Sequence, residues 1–168
     1  MAVGKSAVGR KLARRLKRHF IDLDREIERK TGLTVAEIFD QRGEDHFRSI
    51  EKAVLEEVLL NDGQVIATGG GAVLDPESLA LLKERSLLIW LSADAEAVIE
   101  RSKKNLDRPL LRGQDKTRRI TELMRHREPI YGQAHIRIET ADLSVDQVVE
   151  KIVGVAGNVF GKERIKPR

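Results

Sequence analysis

Three consecutive residues near the start of the chain, Gly4-Lys5-Ser6, lead directly into a helical pattern. They match the second half of the phosphate-binding loop G-x-x-x-x-G-K-[ST]. At such a site, backbone N–H groups at a helix N-terminus point at phosphate oxygens, and the helix dipole favours negative charge. Lys5 then reaches the β- and γ-phosphates of a nucleotide, while the Ser6 hydroxyl ligates Mg²⁺. Glycine at position 4 lets the backbone approach the phosphates closely. A match this short also describes an ordinary helix start, so its meaning depends on the rest of the chain.

Other residues have types suited to a small, anionic, hydroxylated ligand. Arg48 and Arg127 offer planar guanidinium forks that bind a carboxylate bidentately. Asp24 can accept hydrogen bonds from hydroxyl groups and orient or deprotonate an attacking one. Glu51, three residues beyond Arg48, shares its helix face and can hold its guanidinium. The run Gly69-Gly70-Gly71 is costly in backbone entropy, and close approach to a ligand explains it better than a plain turn. Each arginine alone reads as a surface ion pair. Together these residues fall at the ends of separate elements, where an α/β sheet builds its sites.

The elements that must position them alternate between helix and strand, which predicts a single α/β domain with a mostly parallel sheet. Val8, Leu12 and Leu16 recur at helical spacing on a basic segment over 4–18. His19 to Leu23 reads as a strand carrying Asp22 and Asp24 at its end. A short helix follows to Thr31-Gly32. A second starts near Thr34, with Thr34 and Glu37 as a capping box, and a third covers 44–60. Gln64 to Thr68, Leu87 to Leu91 and Ile136 to Glu139 read as further strands. Helices are expected over 76–85, 93–104 and 144–155, and a basic helix before Pro129. The segment 105–116 is polar and Arg-rich. The single domain is placed at 1–156, with 24–60 as helices that bind the small ligand, 105–116 as a lid and 157–168 as a disordered basic tail.

The 168 residues carry a net charge of +4, 40% hydrophobic and 35% charged residues, and no cysteine. Disulfides, thiolate metal sites and a cysteine nucleophile are thereby excluded. No apolar run approaches the ~20 residues of a membrane span, and no secretory signal is evident, so a cytoplasmic location is expected. The basic balance points to anionic partners. Nucleic acid is disfavoured, because only 4% of residues are aromatic and the arginines fall inside small-ligand motifs. The four histidines, His19, His46, His126 and His135, show no metal-ligand spacing.

Taken in order, MAVGKSAVGRKLA over 1–13, FIDLD over 20–24, GEDHFRSIE over 43–51, VIATGGGAV over 65–73, RPLL over 108–111 and REPIY over 127–131 resemble the shikimate kinases across nearly the whole chain. That resemblance implies a three-layer phosphate-loop kinase fold lacking its first strand here. It implies transfer of the ATP γ-phosphoryl group to the 3-hydroxyl of shikimate, a ring carboxylate with three hydroxyls. Asp24, Arg48, Gly70, Gly71 and Arg127 become the shikimate contacts. Gly4, Lys5, Ser6, Ala7, Arg101 and Arg108 become the ATP contacts. Lys5, Asp24 and Arg108 become the catalytic set, with Arg108 on a closing lid beside Arg112. Asp22 supports Mg²⁺ through water, its other reading being a helix N-cap. Arg101 packs on adenine, its other reading being a solvated helix face. Thr140-Ala141-Asp142 frames the adenine. The enzyme is expected to act as a monomer.

The chain departs from the family pattern in places. Ala2 and Val3 stand where the loop is usually glycine-rich, Ala7 replaces a usual threonine, and Gln133 and His135 replace an acidic pair. The loop's first glycine and its feeding strand would precede Met1, so Met1 is expected to be an internal methionine of a longer natural protein. Two rival functions are a gluconate-type kinase, which shares the phosphate loop, and a nucleotide-binding protein made inactive by the missing strand.

Overall fold

Helical and extended segments alternate along the chain, and each strand runs parallel to its neighbour. The computed structural model describes residues 4–98 and 116–164. Helix α1 (Lys5–Leu16) leads to β1 (His19–Asp22), α2 (Leu23–Thr31) and α3 (Val35–Val58). Next come β2 (Gln64–Ala67), a 3₁₀ turn (Ala72–Leu74), α4 (Pro76–Arg85) and β3 (Ile89–Ser92). A helical stretch begins at 95 and passes out of the described residues. The chain closes with α5 (Lys116–Tyr131), β4 (Ile136–Glu139) and α6 (Val145–Arg164).

β1 pairs with β2, placing Asp22 opposite Ala67, and β3 pairs with β4, placing Ser92 opposite Glu139. Among the described residues these are two separate parallel pairs. The facing apolar positions Val65, Ile66, Ile89, Trp90 and Leu91 are only half-buried. One core cluster joins Leu23 and Ile27 of α2 to Ile38, Phe47 and Leu55 of α3 and to Leu79 and Leu82 of α4. A second joins Val8 and Leu12 of α1 to Ile136 and Ile138 of β4 and to Val148, Val149 and Ile152 of α6. A third small cluster holds Ala93, Val98 and Ile120.

Local chemistry sets most boundaries. α1 starts from Gly4 at φ 81° and stops at Lys17, which is also left-handed at φ 54°. α3 begins with the expected reciprocal capping box of Thr34 and Glu37. α4 has Asp75 as its N-cap, accepting from the Ser78 N–H at 2.8 Å, with Pro76 in the first turn.

The departures from the sequence reading that matter most lie at Leu23 and at the last helix. The strand expected to reach Leu23 ends at Asp22, and Leu23 opens α2. Leu23 and Ile27 are both fully buried at i, i+4, so helical burial of two large side chains, worth roughly 2 kcal/mol each, outweighs strand propensity there. Asp24 therefore sits in the first turn of a helix rather than at the end of a strand. The two helices expected over 34–60 are both present within α3 and meet at a kink at Gly43, whose φ 81°, ψ 174° is not helical. The last helix, expected over 144–155, runs as α6 from Val145 through Arg164, so residues expected to form a disordered tail are helical there. No helix among the described residues is long and apolar enough to cross a membrane.

Candidate active site

Because β1 and β2 are parallel and in register, both deliver their C-terminal ends to the same place. Asp22 and the first turn of α2 leave one strand there, and Thr68 to Gly71 leave the other. Ligands of open α/β sheets bind at such ends. Lys5, at the start of α1, lines one cavity of about 150 Å³ together with Gly69, Gly70, Trp90, Glu128 and Tyr131. The helix start proposed to hold phosphates and the triple-glycine loop therefore border the same space.

The glycine loop is packed against charged side chains. A β-carbon at Gly69 would lie 2.6 Å from Glu51 Oε1 and 3.2 Å from Asp24 Oδ1. At Gly71 it would overlap the guanidinium of Arg48. The loop needs glycine at these two positions because the carboxylates and the guanidinium occupy the space that side chains would fill.

Arg48 is itself held on two sides. Its Nη1 donates to Glu51 Oε2 at 2.5 Å and its Nη2 to Glu44 Oε1 at 2.9 Å, with Nε adding a longer bond to Glu44. Burial works against the charge on Arg48, but Glu51 and Glu44 outweigh it and hold its pKa above the ordinary value. Glu51 is only 3% exposed, and its Oε1 has no hydrogen-bond partner among the described residues. Burial pushes its carboxyl above the usual carboxylate range. Arg48 and Arg127 pull in the opposite direction, and the negative charge of Asp24 adds to the rise.

Arg127, near the end of α5, is 9% exposed, a rare depth for an unmodified guanidinium. Its positive charge lowers the carboxyl pKa of Glu51, in the same direction as that of Arg48 and against that of Asp24. One turn later, Tyr131 donates its hydroxyl to the Gly70 carbonyl at 2.7 Å. Sequence reasoning gave Tyr131 no role. Its presence in the REPIY run was the available signal, but a lone tyrosine at a helix end carries no chemistry until its partner is known.

Asp22 occupies the N-cap position of α2 yet makes no side-chain capping bond, so the N-cap reading is met in position but not in hydrogen bonding. Among the described residues no cluster of three or more His, Cys, Asp or Glu is present. Ser6 and Asp22 each carry oxygen donors of the kind Mg²⁺ takes alongside water and phosphate. Thr140 is 2% exposed, with its hydroxyl donating to the Ser92 carbonyl at 2.9 Å. That bond ties the end of β4 to β3 at the position expected to frame adenine. Arg101, Arg108 and Arg112 lie outside the described residues, as does the expected lid over 105–116 up to Lys116, which opens α5.

Comparison with known proteins gives one answer. The family model described as shikimate kinase matches residues 1–156. The chain is 47% identical over 153 residues to a shikimate kinase of Pelotomaculum thermopropionicum, covering 91% of this chain and 89% of that protein. It is 44% identical over 155 residues to one of Nitrobacter winogradskyi, covering 92% and 72%. Among solved structures, shikimate kinase from Acinetobacter baumannii in complex with shikimate superposes with a TM-score of 0.92 at 37% identity, covering 96% of this chain and 91% of that one. A fold built on parallel strands, a glycine loop seated on paired charges, and these matches over nearly the full length agree: the chain belongs to the shikimate kinase family, a family of ATP-dependent kinases.

Proposed function

We propose that this chain transfers the γ-phosphoryl group of ATP to the 3-hydroxyl of shikimate by direct in-line displacement. The observation that carries this reading is the convergence of Asp24, Arg48, Glu51 and the Gly69–Gly71 loop at the ends of β1 and β2. A ring carrying one carboxylate and several hydroxyls matches that mix of forks and acceptors. Arg48 and Arg127 bind the carboxylate, and the backbone of Gly70 and Gly71 lies along the ring. Glu44 and Glu51 fix Arg48 before the substrate arrives, which lowers the ordering cost of binding. Asp24 aligns the 3-hydroxyl and accepts its proton as the new O–P bond forms and the bond to ADP breaks.

Gly4, Lys5, Ser6 and Ala7 cradle the phosphates at the start of α1, and the Lys5 ammonium neutralises charge building on the transferred group. Mg²⁺, when bound, supplies further charge neutralisation at the β- and γ-phosphates, with Ser6 as a direct ligand and Asp22 acting through water. Arg108 meets the transferred phosphate from the lid, and Arg101 stacks on adenine. The partners are small anions rather than nucleic acid or membrane, and the enzyme acts as a cytoplasmic monomer.

Regiochemistry tests this reading. Incubation with Mg·ATP and shikimate, followed by phosphorus–proton correlation spectroscopy, should show a single ester on the 3-hydroxyl. An ester on either of the other ring hydroxyls would refute the assigned orientation.

A further inference from the structure

Glycine loses more conformational freedom on folding than any other residue, so a triple-glycine loop is a poor presenter of backbone unless something holds it. One side of this loop rests on α2 and α3. Gly69 lies against Glu51 and Asp24, and Gly71 against Arg48. From the other side comes one directed bond, the 2.7 Å hydrogen bond from the Tyr131 hydroxyl to the Gly70 carbonyl, which joins residues 61 apart in sequence.

Tyr131 closes α5 one helical turn beyond Arg127, so both side chains leave the same face of that helix. Its ring is itself supported. The Trp90 ring packs on it at 6.0 Å between centroids, tilted by 54°. The Arg137 guanidinium lies 4.4 Å over Trp90, and its Nε donates to Ser92 Oγ at 3.2 Å. The phenol thus stands on a platform built from β3 and β4 and reaches across to the loop that leaves β2. Stacked pairs of this kind restrict ring orientation, so the hydroxyl is aimed before any ligand binds.

Resting on the site assignment proposed above, we propose that Tyr131 is a positioning residue for shikimate. Its hydroxyl fixes the Gly70 carbonyl and so sets the separation between the Gly70–Gly71 backbone and the Arg127 guanidinium, the two walls that α5 and the loop present to the ring. The hydroxyl's bond goes to the loop backbone rather than to the start of α1. Loss of its hydroxyl therefore weakens the grip on shikimate and spares the grip on ATP.

The test compares Tyr131→Phe, which keeps the ring and its packing on Trp90, with Arg127→Ala and the parent chain. Dissociation constants for shikimate and for Mg·ATP come from calorimetry, and amide hydrogen exchange is followed across peptide 68–74. Tyr131→Phe should raise the shikimate constant about fivefold, the factor expected for one neutral hydrogen bond. The Mg·ATP constant should stay within about twofold, and exchange across 68–74 should quicken while α3 is unchanged. An unchanged shikimate constant in Tyr131→Phe beside a raised one in Arg127→Ala would overturn the proposal and leave the site assignment standing. Unchanged constants in both variants, or a parent chain that does not bind shikimate, would overturn the site assignment and the proposal together. Equal weakening toward both ligands would reduce Tyr131 to a general support of the fold, and would also overturn it.

Discussion

Gly71 lies so close to the guanidinium of Arg48 that a β-carbon at position 71 would overlap it. The backbone of Gly71, at φ −96°, is one that any residue can adopt, so the requirement for glycine comes from the arginine alone. Gly71→Ala should therefore fold and displace Arg48 from its seat between Glu44 and Glu51. The Michaelis constant for shikimate should rise by about tenfold or more, the scale of one charged hydrogen bond, with the constant for ATP little changed. Steady-state kinetics with each substrate varied in turn would check this, and a variant with wild-type shikimate affinity would remove Arg48 from the site.

Lys5 and Arg127 should separate chemistry from binding. Arg127→Ala removes a carboxylate fork and should chiefly raise the Michaelis constant for shikimate, whereas Lys5→Met removes charge needed at the transferred phosphoryl and should abolish turnover. The same kinetic series reads both. An Arg127→Ala enzyme with an unchanged constant for shikimate would refute the carboxylate assignment.

Glu51 should make stability depend on pH in a direction opposite to most carboxylates. Burial pushes its carboxyl above the ordinary value of 4.5. The folded state then binds its proton more tightly than the unfolded chain does. Its contribution is fully present below the unfolded value and lost as pH rises through the higher folded one. Glu51→Gln abolishes this titration. The Tm of the variant relative to wild type should therefore climb as pH rises above the ordinary carboxyl value of 4.5, by scanning calorimetry. A difference independent of pH would contradict the raised carboxyl.

Gly9 is buried in α1 against β1, and a β-carbon there would lie 2.7 Å from Phe20 Cε2. Gly9→Ala should cost about 1–3 kcal/mol by overpacking. Adding Phe20→Leu should return part of that loss, which urea unfolding midpoints of the single and double variants would measure. Strict additivity of the two changes would show that the contact is not the cause.

Much of the fold was legible because its signals are local. Pro76 to Arg85 and Ile136 to Glu139 have the bounds read from sequence, and the Thr34–Glu37 box caps α3 as expected. Asp24 was misread as a strand residue because Leu23 fits a strand or a helix equally well. Only the burial of Leu23 with Ile27, a tertiary fact, decides between them. The break between the two helices of α3 at Gly43 was legible, since a glycine at positive φ interrupts the helical backbone there. Within the site, side-chain types pointed to Arg48, Arg127 and the glycines. The contacts of Gly69 with Glu51 and of Tyr131 with Gly70 join distant parts of the chain, and no spacing rule carries them.

The most direct test of the account is ADP release by this chain with Mg·ATP as shikimate or gluconate is added. Release that rises with shikimate and stays at background with gluconate is the predicted result. Release driven by gluconate, or by neither acid from a folded chain that binds Mg·ATP, would contradict it.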